Sequence, residues 1–324
     1  TNNKMKIKNL AMILTLGAAT LSCANSAKTT CCESSTKTTC CENSEKAKTN
    51  YSDLTKQYAK VQLTSDISHL SDNEKQMLDY LYEIGNIMDD IFWTQQFGGD
   101  KEAFLNSIED KDARLFAEIN YGPWNHFDNL NPFLPEYGAM PAGAGFYPTD
   151  MTKEEFEAWD NPDKTSLYTL IKRDENGKLQ AVWYHEAYAE QINRVAELLN
   201  KAADLAGDKE FADYLRLRAK AVLTDDYFES DMAWMDVRNN NVDFVVGPIE
   251  NYVDALYGYK AAHEAFILIK DQAWSKQLAR YAELLPLLQT QLPVAEEYKQ
   301  EKPGADADLA VYDAVFYGGD CNMA

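Results

Sequence analysis

The stretch from Val242 to Asp271 constrains this chain most. Val242 to Ile249 is rich in β-branched and aromatic residues, which suit a strand. Gly247-Pro248 is expected to end any central strand, because proline cannot donate to a ladder. Farther on, Leu256, Tyr259, Phe266 and Ile267, with Ala262 between them, recur at helical spacing. The stretch therefore reads as strand, corner, helix. Glu250-Asn251-Tyr252 sits at the corner, with Asp254 near the first turn of the expected helix. A corner that presents a carboxylate and a phenol either carries a site or merely turns the chain.

Charge narrows the partners. The 324 residues carry a formal net charge of −21, and seven of the 31 basic residues but only three of the 52 acidic ones precede Tyr51. So acidic a body repels phosphate backbones, which excludes nucleic acid as a partner. Solubility is the plain reading of that surface, and attraction of cationic peptides the functional one.

The N-terminus reads as a signal peptide over residues 1–23. Met5-Lys6-Ile7-Lys8 is basic, and Leu10 to Leu21 is an apolar run too short to span a bilayer. Met5 is the expected true start. Thr20-Leu21-Ser22-Cys23 resembles a lipoprotein signal, so Cys23 is expected to become the lipidated first residue of an exported bacterial lipoprotein. Ordinary cleavage near Ala24 to Ala27 is the competing expectation. Residues 24–50 hold a polar tandem repeat that buries no core and reads as a disordered tether. Its Cys31-Cys32 and Cys40-Cys41 pairs make a poor zinc cage and are expected to form disulfides after export.

Residues 51–324 form the folded body. Ser71-Asp72-Asn73-Glu74 has the form of a capping box, and Met77, Leu78, Leu81, Ile84, Ile87, Met88 and Ile91 follow as one apolar stripe. Lys101 to Ile119, His185 to Leu205 and Glu210 to Leu223 are further helices. Thr165–Ile171 and Leu179–Tyr184 flank Asp174-Glu175-Asn176-Gly177 as a hairpin. Pro286 is expected to kink or break a helix over Trp274–Leu292. Leu309 to Tyr317 reads as a strand. Between residues 120 and 150, five prolines interrupt Trp124, Phe127, Phe133, Phe146 and Tyr147. These aromatics are expected to plug the loop onto the core; one wall of a cleft is the alternative. With no strand–helix–strand rhythm, the class is α+β, mostly helical with a small β-rich core.

Zinc ligation fails on spacing. A zincin sets two histidines four apart on one helical face with a glutamate as general base. Four residues after His185 stands Ala189, and after His263 stands Ile267. His263 is read instead as a buried, hydrogen-bonded helix histidine, and His69 and His126 complete the set without ligand spacing.

Gly247-Pro248-Ile249-Glu250-Asn251-Tyr252 resembles the Gly-x-Ile-Glu-x-Tyr segment of the dipeptidyl peptidase III family of zinc metallopeptidases. Asn120-Tyr121-Gly122-Pro123-Trp124 and Gly143-Ala144-Gly145-Phe146-Tyr147-Pro148, followed by Asp150 to Phe156, resemble its bacterial, exported branch in the same order. The likeness runs from about residue 50 to the last. It implies part of a two-lobed enzyme that uses Zn2+ to release dipeptides from peptide substrates. Glu250 would then bind the substrate's free amine and Tyr252 contact the scissile region, with both side chains on one side of an extended backbone and Asn251 pointing away. The family holds zinc with His-Glu-x-x-Gly-His and a later glutamate, and five residues after His185 and His263 stand Glu190 and Leu268. No metal ligand and no catalytic residue is therefore expected in this chain. It reads as an N-terminal, substrate-binding portion, inactive alone, with the zinc motifs and further substrate-binding asparagines expected beyond Ala324. The rival expectation is a non-catalytic lipoprotein that binds a ligand through the aromatic loop 120–150.

Overall fold

A computed structural model describes residues 49–300 and 310–319. The leader with Cys23, the cysteine pairs and the segment after Gly319 lie outside the described residues. α1 (Tyr51–Thr55) precedes the long α2 (Asp72–Phe97). The capping box is formed: Ser71 Oγ accepts from Glu74 N at 3.2 Å, and Glu74 Oε2 accepts from Ser71 N at 2.8 Å. The helix stops at Gly98, whose φ of 76° is the left-handed cap that glycine adopts without strain. Its stripe from Met77 to Phe92 is buried, except that Ile87 is only partly so. The helical stretch after it divides into α3 (Lys101–Ser107) and α4 (Lys111–Ile119). Asp110 makes the break, because its side chain accepts from Asp112 N and Ala113 N and so starts a new helix.

The proline-rich loop packs as a plug. β1 (Trp124–Asn125) and β2 (Asn131–Pro132) pair briefly within it. Trp124, Phe133, Phe146 and Tyr147 are buried, and Phe127 is half exposed. Gly145 docks the loop on the end of α2: its N–H donates to Gln95 O at 2.7 Å, and a Cβ there would lie 2.3 Å from Thr94 O. After α5 (Lys153–Ala158), β3 (Thr169–Arg173) and β4 (Leu179–Trp183) form the expected hairpin. Asp174 Oδ1 accepts from Asn176 N and Lys178 N, both at 2.8 Å, which pins the turn. The helix expected from His185 is interrupted at Tyr188, giving α6 (Tyr184–Ala187) and α7 (Ala189–Leu205). α8 (Lys209–Thr224) and α9 (Phe228–Asp236) follow.

The opening stretch departs from its expected form. β5 (Val242–Glu250) continues through Gly247-Pro248, and the expected helix is a second strand, β6 (Ala262–Lys270). With β7 (Tyr312–Gly318) they make an antiparallel sheet in the order β5-β6-β7. Pro248 is tolerated because β5 is the edge strand, where a missing donor breaks no second ladder. Phe266-Ile267-Leu268-Ile269 is continuously apolar, so helical and strand periods both fit it, and pairing on both sides decides for strand. Between β6 and β7, α10 (Gln272–Ala282) and α11 (Leu285–Thr290) divide where Pro286 enters the first turn of the second helix.

α2 packs against β6 on one side and α7 on another, and α7 against α8. The fold is α+β. Among the described residues no helix is long and apolar enough to cross a membrane.

Candidate functional site

The candidate site is the end of β5. Register pairs Gly247 with Glu264, Pro248 with His263 and Glu250 with Ala262, so Ile249 is an extra residue, a β-bulge. Residues opposite each other share a face, and faces alternate along a strand. The bulge therefore sets Glu250 on the same face as Glu264, where Ile249 would otherwise stand. Glu250 is exposed, and Tyr252 is 59% exposed. Tyr252 lies in a turn beyond the strand, so one extended backbone does not carry both side chains as expected. Asn251 is turned inward on its own loop, donating from Nδ2 to Gly258 O at 2.6 Å.

Asp254 holds the turn. Buried at 2% exposure, it accepts from Leu256 N, Tyr257 N, Tyr259 N and Lys260 N at 2.9–3.2 Å, and from Tyr147 Oη at 2.7 Å. Burial and this carboxylate drive the Tyr147 hydroxyl well above its ordinary pKa. The last bond ties the corner to the proline-rich loop, two regions the sequence reading treats apart. Lys260 closes the turn. Fully enclosed, its Nζ donates to Lys164 O, Ser166 O and Thr169 Oγ1 at 2.8–2.9 Å, and burial lowers its pKa to about 8. Phe156, Tyr257 and Tyr259 cluster with near-parallel rings beside the turn.

Two ionisable neighbours open β6. His263 is buried on the face toward α2, on a strand rather than a helix. Its N–H donates to Gln95 Oε1 at 2.8 Å, and its Nδ1 accepts from Gln95 Nε2 at 3.0 Å. Tyr184 and Tyr188 pack against the ring, and burial lowers its pKa to about 3, so it is neutral. Glu264, on the opposite face, is 1% exposed, and its Oε1 has no hydrogen-bond partner. Burial first, and the Glu250 charge second, raise its pKa to about 7.

The remaining histidines are apart. His185 Nδ1 meets Asp225 Oδ2 at 2.7 Å, His126 lies against Gln96, and His69 is exposed. Among the described residues no three His, Cys, Asp or Glu side chains are grouped to hold a metal ion, so these residues do not fit a zinc site. Sequence reasoning singled out Glu250 and Tyr252 and missed Lys260 and Glu264. The only local signal for Asp254 as an organiser is its place four residues before Gly258 in a turn-forming stretch.

Residues 152–317 match the model of peptidase family M49. A curated relative, Nudix hydrolase 3 of Arabidopsis thaliana, is 30% identical over 324 aligned residues, covering 81% of this chain and 42% of that protein. The solved structure of DPP III from Caldithrix abyssi superposes with a TM-score of 0.75 at 36% identity, covering 82% of this chain and 52% of that one. Dipeptidyl-peptidase III from Corallococcus sp. strain EGB gives 0.74 at 32% identity, covering 84% and 53%. The chain thus spans about half the length of the relatives it matches.

Proposed function

Since the chain belongs to peptidase family M49, we propose that it is the substrate-binding portion of a zinc-dependent dipeptidyl peptidase acting on peptide N-termini. The observation that carries this reading is the family match across residues 152–317, which includes the exposed Glu250–Tyr252 corner. Glu250 offers a carboxylate free to accept from a terminal ammonium, and Tyr252 a hydroxyl for the peptide carbonyl. Asp254 and Lys260 contribute by holding the turn that carries Tyr252 and follows Glu250. Zinc would be bound by residues other than those described, and this portion is inactive by itself. The buried aromatics of the 120–150 loop argue against the rival ligand-binding lipoprotein, since a plug offers little surface to a ligand.

The test measures zinc content and dipeptidyl-arylamide hydrolysis by the purified 324-residue chain. Stoichiometric zinc with turnover would sink the division of labour. In a full-length protein, Glu250→Ala is expected to raise KM with kcat little changed, costing about 1.5–3 kcal/mol as for a lost hydrogen bond to a charged group. Export with Cys23 lipidated belongs to the same reading. Cys23→Ser should move the protein from the membrane to the soluble fraction.

A further inference from the structure

At one residue the aromatic loop is more than a plug. Phenylalanine would fill the place of Tyr147 as well, so packing alone leaves its hydroxyl unexplained. The residues before it are fixed on two sides. Gly145 N–H donates to Gln95 O of α2 at 2.7 Å, and Phe146 O accepts from Ile171 N of β3 at 2.9 Å. Ala144 takes a left-handed φ of 45°, which is strained for any residue but glycine and persists where the surroundings impose it. The ring presses on Gly143, where a Cβ would lie 2.5 Å from Tyr147 Cδ2, and meets Phe156 edge-on at 5.9 Å. Tyr147 is thus a rigid, buried post, and its hydroxyl donates to Asp254 Oδ2 at 2.7 Å.

Glu250 and Tyr252 depend on the body in different ways. Glu250 is a member of the β5–β6 ladder, paired with Ala262. Tyr252 lies outside the ladder with most of its side chain in solvent, so packing does little to aim it. Its aim comes from the backbone of residues 251–254, which Asp254 closes by donating its N–H to Asn251 O at 3.2 Å. The bonds that the Asp254 carboxylate accepts from Leu256, Tyr257, Tyr259 and Lys260 are internal to the turn, whereas the Tyr147 bond leads to the rest of the fold. We propose that Tyr147 is a positioning residue, which fixes the direction of the Tyr252 hydroxyl by holding Asp254. The inference rests on the reading that Tyr252 meets the peptide carbonyl. A hydroxyl that stabilises developing charge must be aimed before the charge forms, so a loosened turn slows the chemical step. Capture of the substrate by Glu250 is secured by the ladder and stays as it was.

The experiment is steady-state hydrolysis of a dialanyl arylamide by the full-length protein carrying Tyr147→Phe, Tyr252→Phe or both. Tyr147→Phe should lower kcat roughly tenfold to a hundredfold with KM little changed, the opposite pattern to Glu250→Ala. Tyr252→Phe should lower kcat about a hundredfold or more. The double variant should be no slower than Tyr252→Phe, because the post then has no hydroxyl left to aim. Losses that multiply, or a Tyr147→Phe effect on KM alone, overturn the inference while leaving Tyr252's role standing. If Tyr252→Phe keeps its kcat, the carbonyl reading itself fails and the inference with it. Tyr214→Phe is the matched control, since it deletes another buried tyrosine bond, from Tyr214 Oη to Phe244 O at 2.7 Å. It should keep kcat; an equal loss there would mean general loosening and defeat the proposal. Amide exchange of the unsubstituted protein needs no variant. The N–H groups of Asp254 and residues 256–260 should exchange as slowly as those of β6, and free-loop rates would show that the turn is not fixed.

Discussion

The two faces of the β5-β6-β7 sheet are built from the same strands and behave as different materials. Toward α2, Val242, Phe244, Val246, Ala265, Ile267, Ile269 and Phe316 are all at most 3% exposed. Helix and sheet meet so closely there that a Cβ on Gly85 would fall 2.5 Å from the Phe316 ring. On the other face Val245, Phe266, Leu268, Lys270, Tyr312 and Tyr317 are only partly buried, while Asp243, Ala262 and Glu264 are enclosed. The difference teaches where each kind of side chain is at work. One face holds the fold together, and the other carries Glu250 and Glu264 at diagonal positions of the ladder.

Phenylalanines measure that contrast most directly. Phe244→Ala should cost about 3–5 kcal/mol in urea unfolding, the usual range for an enclosed aromatic that leaves a cavity. Phe266→Ala, on the open face, should cost about 1 kcal/mol, because solvent already reaches the ring. Equal losses would break the distinction between the faces. Asp254→Ala comes next, at about 2–4 kcal/mol, since Tyr147 Oη and several backbone N–H groups lose their acceptor together. It should also unpin the corner from the proline-rich loop, seen as faster amide exchange over residues 255–260 with α2 unchanged.

Much of the helical side was legible because its signals are local. The Ser71–Glu74 box, the Asp174–Gly177 turn and the break at Pro286 each act within a few residues. β6 was not legible, because Phe266–Ile269 fits two periods and its partners lie on separate segments of the chain. Gly247-Pro248 misled for a related reason: only knowledge that β5 is an edge lets proline stay within it. At the site, Glu250 and Tyr252 were visible through resemblance to a family. Their supports were hidden by distance, as with Tyr147 and Asp254, which lie 107 residues apart. Glu264 was hidden by a bulge, since no composition or spacing reveals that one extra residue turns two acids to the same face.

pH isolates the two neighbours that head β6, because their pH dependences have opposite sign. His263 has its folded pKa lowered from 6.5 to about 3, so between those values the unfolded chain binds the extra proton. Stability from this group therefore falls as pH drops below about 6.5. Glu264 has its folded pKa raised from 4.5 to about 7, so in that window the folded chain binds the extra proton. Stability from it falls as pH rises from about 4.5 to about 7. In the wild type the two slopes oppose each other between about pH 4.5 and 6.5, flattening the profile. Glu264→Gln keeps a neutral side chain at every pH and removes one slope. Its stability should rise with pH up to about 6.5 and, by pH 8, exceed the wild type by about 1–3 kcal/mol. Urea midpoints across this range check it. A variant less stable than the wild type at pH 8 would mean that the ionised carboxylate is held by a partner in the folded chain, and the open face would then be as complete as the closed one.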